Sequence, residues 1–186
     1  MAKALKFNGG NFARAATLGN ILGSKLGIST DHFVWSGGAG TIFSQCVSQS
    51  TSKEFQLFVN NDNLWLSAGG VSNEFESFAS IFGSTSVSGA LSVVVDFPNE
   101  TMVIRLDGEV IFSEAITVGS GRVNNAYFRL GARGDSSTTV GTGGGFFAPA
   151  NSEFGDILVE LDDVPVRRYV SDGEGTTWEE LSLIHI

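Results

Sequence analysis

Two pairs of acidic residues have the spacing that acid–base chemistry on a β-strand requires. Glu74 and Glu76 are two positions apart, as are Glu160 and Asp162, so a strand would place both members of each pair on one face. Paired carboxylates of this kind act as acid and nucleophile on a glycosidic bond. The stretch around Glu74 has loop character, however, and both pairs are interpreted as solvated acids on strand edges or loops.

Other residues suited to nucleophilic chemistry are few. A Ser-His-Asp arrangement would rest on His32 beside Asp31, because the second histidine, His185, lies in the final residues. The one cysteine, Cys46, lies in an apolar stretch and is interpreted as a small buried residue on a strand. The glycine-rich run 141–145 lacks the lysine and the following helix of a phosphate-binding loop. The sequence therefore predicts no catalytic residues and no enzyme.

Side chains that could coordinate calcium occur at a few positions. Calcium needs several oxygen ligands that converge from loops. Asp62 lies in the Asn/Asp run 60–63, and Asp135 and Asp156 are the other candidates. A hairpin turn that tolerates left-handed backbone is the simpler interpretation of the run. No cofactor is predicted with certainty, and calcium binding is left open.

Ligand binding on the face of a sheet is a further chemistry that the pattern allows. Alternation assigns one set of residues to the core: Leu57, Val59, Leu64, Leu66, Ile104, Leu106, Phe128 and Leu130. The opposite faces then carry Gln56, Phe58, Trp65, Arg105, Tyr127 and Arg129. Aromatic rings stack on sugars and arginines bind polar groups. Packing against a neighbouring subunit, a capsid or the rest of the protein is the favoured interpretation, and sugar binding is the alternative.

Strands are the elements that would position these residues. Residues 55–59 and 64–67 flank a polar turn as a hairpin, and residues 91–97, 101–106 and 109–112 form a meander. About ten short strands joined by turns favour a two-sheet antiparallel sandwich. The exceptions are one helical turn predicted within residues 11–27 and a capping-box helix at residues 177–180.

Composition agrees with a β-rich domain and excludes some partners. The 186 residues are 42% hydrophobic and 17% charged, which suits a chain that buries a core. The net charge of −9 argues against binding to nucleic acid or to an anionic membrane, because both attract basic surfaces. No apolar segment approaches the length of a membrane span, about 18 residues or more.

The order of these strands follows that of a known family. Residues 91–97 and 102–108 give the best match, a strand, a turn and a second strand that ends in Asp-Gly. Over residues 2–172 the chain resembles laminin G-like domains of the concanavalin A-like lectin/glucanase superfamily. The resemblance implies an all-β fold, a two-sheet antiparallel jelly-roll sandwich.

The domain expected from this resemblance covers residues 1–172, and residues 173–186 are a C-terminal tail. Residues 181–186 resemble the translated end of a sequencing-library adapter. If this is their origin, the natural chain was cut near Glu180 and a further domain can be missing from this sequence; the alternative is a short apolar tail.

The resemblance also implies a function. Stand-alone domains of this type resemble bacteriophage structural proteins that decorate heads or form tail fibres, so a non-catalytic, homo-oligomeric virion protein among other virion subunits is expected. The alternative is a lectin domain, calcium dependent or not, that binds surface glycans and is cytoplasmic or on the cell surface. A glycoside hydrolase is least favoured, because the Glu-x-Asp-x-x-Glu pattern of the superfamily's glucanases starts at Glu160 but meets Pro165.

Overall fold

The structure, a computed structural model, describes residues 4–10, 13–15, 17–46, 53–121, 128–132, 147–171 and 178–181. Strands dominate because β-branched and aromatic residues alternate with polar ones between turns rich in Gly, Asn and Asp. The elements in chain order are β1 (Leu5–Lys6), β2 (Ala13–Ala15), β3 (Lys25–Trp35), β4 (Gly40–Cys46), β5 (Lys53–Asn60), β6 (Asn63–Ala68), β7 (Val71–Ser77), α1 (Phe78–Phe82), β8 (Val87–Asp96), β9 (Thr101–Leu106), β10 (Glu109–Ala115), β11 (Phe128–Leu130), β12 (Glu153–Phe154), β13 (Ile157–Leu161), β14 (Val164–Ser171) and β15 (Trp178–Leu181).

The larger sheet has nine strands and is built around β3. Its main order is β10-β9-β8-β3-β13-β14-β15, and β12 pairs with both β3 and β1. Leu26 of β3 faces Val95 of β8 on one side and Leu161 of β13 on the other. The central strand therefore joins two parts of the chain that are far apart in sequence.

The smaller sheet has six strands in the order β2-β11-β4-β5-β6-β7. Strands β5 and β6 form the predicted hairpin, and its turn residues Asn61 and Asp62 have φ angles of 48° and 65°. Both lie in the left-handed region, which Asn and Asp tolerate better than most residues. The described strands of both sheets pair antiparallel, which confirms the predicted two-sheet sandwich.

The inner faces of the two sheets share one apolar core. All the predicted core residues belong to it except Leu106, which is partly buried and packs against it. Phe154 of the larger sheet contacts Phe43 of the smaller one, with ring centroids 5.7 Å apart, and it also contacts Phe33 and Phe7. This aromatic cluster joins the sheets and fixes which side of each strand faces outward.

Both ends of the chain differ from the sequence predictions. Within residues 11–27, predicted as a loop with a helical turn, β2 occupies Ala13–Ala15 and β3 begins at Lys25. The helix predicted at residues 177–180 is wrong, because Trp178–Leu181 is a strand paired with β14. Backbone pairing with a neighbouring strand outweighs a local capping signal. The sheet thus continues past residue 172, where the sequence analysis ends the sandwich.

No helix in the described part of the chain is long and apolar enough to cross a membrane.

Candidate functional site

An aromatic pair lies on the outer face of the six-stranded sheet, the face turned away from the core. Phe58 of β5 is directly opposite Trp65 of β6, and their rings are nearly parallel, at 19° with centroids 6.1 Å apart. Phe58 is 9% exposed but does not belong to the core, whereas Trp65 is half-buried. The Trp65 indole N–H donates to the carbonyl oxygen of Asn60 at 3.2 Å, which fixes the ring.

The pairing register extends this pair into a row across four strands. Thr41 of β4 is opposite Phe58, and Glu74 of β7 is opposite Trp65. We call Thr41, Phe58, Trp65 and Glu74 the aromatic row. Side chains opposite one another on one face of a sheet are about 5 Å apart at Cβ. Glu74 is exposed and Trp65 is half-buried, so these two can contact one ligand, whereas Thr41 and Phe58 are buried.

A second row runs beside the first and is polar along its whole length. It passes from Arg129 of β11 through Ser44, Gln56 and Ser67 to Ser72 of β7, each opposite the next. We call these five residues the polar row. Its three central members are at most 1% exposed, so most of the row is buried. A ligand can therefore reach the two rows mainly where Ser72 and Glu74 are exposed beside the half-buried Trp65, an arrangement that combines a stacking ring with hydrogen-bonding groups.

Gln56, at the centre of the polar row, has an unsatisfied oxygen. Its amide N–H donates to the hydroxyl of Thr41 at 3.0 Å, but its Oε1 has no hydrogen-bond partner among the described residues. Buried side-chain oxygens are nearly always bonded, so an exception indicates a missing donor. By contrast, the Ser44 hydroxyl donates to the carbonyl of Ala132 at 2.7 Å.

Three of the five predicted ligand-binding residues can now be placed together. Phe58, Trp65 and Arg129 share the outer face of the six-stranded sheet, and the Arg129 guanidinium donates to the carbonyl of Cys46 at 3.1 Å. Tyr127 lies outside the described residues. That this face binds a ligand stays a prediction.

Arg105 takes an outward position, as the alternation predicts, but on the other sheet. It lies on β9 in the nine-stranded sheet, opposite Ser92 of β8. Alternation along a strand shows which side chains point away from the core, but it does not show which sheet the strand joins. Arg105 and Trp65 therefore belong to different surfaces.

The predicted calcium ligands are separated as well. Asp62 lies in the β5–β6 turn, where its carbonyl accepts the N–H of Phe78 at 2.7 Å. Asp156 precedes β13 and is 3.5 Å from the guanidinium of Arg168. Asp135 is outside the described residues, within which no cluster of three His, Cys, Asp or Glu side chains could hold a metal. Calcium binding remains a prediction.

A buried carboxylate that the sequence analysis missed supports one edge of the outer face. Glu54, two residues before Gln56 on β5, is 1% exposed. Its oxygens accept the N–H of Ile21 at 3.1 Å and the side-chain amide of Gln45 at 3.0 Å. Gln45 in turn accepts the N–H of Leu18 at 2.7 Å. This network fixes the segment before β3, and only its polar residue types in an apolar stretch could have indicated it.

A groove opens between the two sheets where strands β7 and β10 form their edges. It has a volume of about 680 Å³ and contains the carboxylates of Glu74, Glu76 and Glu114. Residues 74–76, interpreted from the sequence as loop-like, lie in strand β7. The other acidic pair is split, because Glu160 lies on β13 and Asp162 in the turn that follows, with φ of 53°.

Comparison with known proteins relates the chain to others by fold. No protein-family model and no curated protein sequence matches it. The sialidase CBM40 domain of Ruminococcus gnavus superposes with a TM-score of 0.53 at 13% identity, over 88% of this chain and 91% of that one. Domains LG4-5 of the mouse laminin α1 chain superpose with a TM-score of 0.57 at 11% sequence identity, over 99% of this chain and 48% of that one.

The leech intramolecular trans-sialidase gives a TM-score of 0.57 at 12% identity, over 98% of this chain, which spans only 28% of that protein. At these identities the likeness shows the fold alone. The protein has the concanavalin A-like jelly-roll fold, as the sequence resemblance implied. The predicted bacteriophage setting stays a prediction.

Proposed function

We propose that the protein is a non-catalytic carbohydrate-binding module and that its sugar contacts lie on the outer face of the six-stranded sheet. The observation that carries the proposal is the placement of the aromatic row beside the polar row. Trp65 offers a ring surface for stacking on a sugar, and the accessible members of the two rows, Ser72, Glu74 and Arg129, offer hydroxyl, carboxylate and guanidinium groups for its hydroxyls.

The comparisons favour a binding role over the virion role expected from the sequence. Among structures of the same fold is the Ruminococcus gnavus CBM40 domain bound to α2,3-sialyllactose, with a TM-score of 0.50. Surface glycans are therefore the proposed partners. A virion setting and calcium dependence remain expectations from the sequence.

Glycan binding tests the proposal directly. The full chain is screened on a glycan array, and the best ligand is then titrated while tryptophan fluorescence is followed. Trp65→Ala is expected to weaken binding about tenfold, the cost of losing one stacking ring of roughly 1.4 kcal/mol.

Arg105→Ala is the matched control, because Arg105 lies on the other sheet, and it should leave affinity within about twofold of the unaltered chain. Equal losses in the two variants, or no glycan bound at millimolar concentration, would contradict the proposal. Unfolding midpoints of both variants show whether each one is folded.

A further inference from the structure

The groove between strands β7 and β10 is large enough for a ligand of its own. Its volume of about 680 Å³ falls within the usual range for binding sites, roughly 300–1,000 Å³. The rings of Phe75 and Phe112 meet edge to face, with centroids 5.0 Å apart, and Ile81 and Ile111 lie beside them. The groove therefore has an apolar floor.

Strand edges, rather than strand faces, border the groove. Consecutive residues of both strands line it, 73–76 of β7 and 111–115 of β10. Each strand is the last of its sheet in the described part of the chain, so each has one side with no neighbouring strand there. An exposed edge of this kind presents backbone N–H and C=O groups that can pair with an added strand.

The two ends of the groove are closed by the protein itself. At one end the Asn73 side chain bonds both backbone groups of Thr117, at 2.7 and 3.0 Å. At the other end lies α1, with Ser80 bonded to Glu76 at 2.7 Å. Strand β10 pairs regularly with β9 from Phe112 to Ala115, beyond a register shift at Val110. These four residues offer a regular edge.

The charged residues that line the groove in the described part of the chain are all acidic. Glu74, Glu76 and Glu114 line it, and no Lys or Arg is found among its described lining residues. A cationic ligand would gain Coulomb attraction from all three carboxylates. Because the whole chain carries a net charge of −9, that attraction also extends to the approach of the ligand.

We propose that this groove binds an extended segment of a partner protein in which apolar residues and Lys or Arg take turns at every second position. The segment adds to β10 as a strand. Phe112 and Glu114 are two residues apart and lie opposite the buried Ile104 and Met102, so both face the same side of β10. Every second side chain of the segment faces that side, so its apolar residues lie on Phe75 and Phe112 while its basic residues reach Glu114 and, across the groove, Glu76. This surface is separate from the proposed sugar-binding rows except at Glu74, which belongs to both.

The probe is a dye-labelled, blocked peptide of Val-Ser-Lys-Ser repeats, which carries Val and Lys in turn on one face, and its binding to the full chain is followed by fluorescence anisotropy. The double variant Glu76→Gln/Glu114→Gln is expected to bind it about fivefold to tenfold more weakly, because two exposed ion pairs are lost. Gln keeps an oxygen for Ser80, so the fold should persist. Binding should weaken as salt rises, and amides of β10 should exchange more slowly in the complex.

The double variant Glu100→Gln/Glu109→Gln is the matched control. It removes the same two charges from exposed positions that do not line the groove, and it should change affinity less than twofold. Equal weakening in both variants would show attraction by net charge alone and would overturn the proposal. So would unchanged exchange of the β10 amides, equal binding of the same peptide with Glu in place of Lys, or a glycan that occupies the groove. Trp65→Ala should retain peptide binding, which separates this test from that of the sugar site.

Discussion

The outer faces of the two sheets differ in what they are made of. On the six-stranded sheet, large aromatic and amide side chains are buried, with Gln56 at 1% and Phe58 at 9% exposure. On the nine-stranded sheet the half-buried Arg105 and Glu160 also face outward, but most outward residues of the central strands are small or aliphatic and half-buried: Gly27, Ser29, Ser92, Val94, Val103 and Leu158.

Polar groups need hydrogen-bond partners when they are buried, whereas small aliphatic side chains need none. Side chains of the six-stranded sheet therefore form specific hydrogen bonds, as Ser44, Glu54 and Gln56 show. The outward side chains of the nine-stranded sheet need few such bonds. Substitutions at matched positions should separate the two faces.

Glu54→Ala should have the largest effect on stability. It leaves the Ile21 N–H and the Gln45 amide without their acceptor, which should lower the free energy of unfolding by about 3 kcal/mol. Glu160→Ala, on the half-buried outer face of β13, should change it by less than about 0.5 kcal/mol. Chemical denaturation of both variants measures the difference. Similar losses in the free energy of unfolding would show that the two faces depend equally on their polar side chains.

Ser44→Ala should have an intermediate effect. The substitution removes the hydrogen bond to the buried Ala132 carbonyl and should cost about 1 kcal/mol. Its counterpart, Ser92→Ala, changes a half-buried serine on β8 and should be neutral within about 0.5 kcal/mol. A larger loss for Ser92→Ala in urea unfolding would show that the nine-stranded face also depends on specific bonds.

The smallest effect is expected at the β8–β9 turn of the larger sheet, and it depends on pH. Hydrogen bonds from the Asn99 side chain and backbone hold the pKa of the Asp96 carboxyl below its ordinary value of 3.8. The folded state therefore favours ionised Asp96, so this stabilisation is complete above the ordinary pKa and is lost as the pH falls through the folded one.

Because Asp96 is exposed to solvent, the effect should not exceed about 0.5 kcal/mol. Asp96→Asn should lower the thermal unfolding midpoint slightly at pH 7 and leave it nearly unchanged at pH 2. If the difference in unfolding midpoint between Asp96→Asn and the unaltered chain is the same at both pH values, the charge of Asp96 contributes nothing to stability.

The sequence predicts the hairpins and the core because both depend on local signals. Alternation and turn residues place β5, β6, β8 and β9, and they assign Leu57 and Ile104 to the core. Local propensity predicts the wrong element where pairing with another strand determines the structure. Strand β15 carries a helix capping signal, but it pairs with β14, and residues 74–76 become an edge strand.

The candidate site is predictable only in part, for a related reason. Phe58, Trp65 and Arg129 are identified as outward-facing from alternation alone. Their arrangement in rows with Thr41 and Ser44 depends on the register of β4 against β5, which includes two shifts. Arg105 is also outward-facing, but its place on the other sheet depends on the pairing of β8 with β3, which lies far away in sequence. The groove between β7 and β10 arises only when both sheets are in place.

The central position of β3 has a consequence for how the protein folds. The β5–β6 hairpin and the β8–β9–β10 meander need only nearby residues, so they can form within microseconds. Strand β3 can instead complete its pairing only after β8 and then β13 have been synthesised, and β13 lies near the end of the chain. Such non-local closure slows folding, and during synthesis it leaves the edge of β3 that pairs with β13 open until residues 157–161 have left the ribosome.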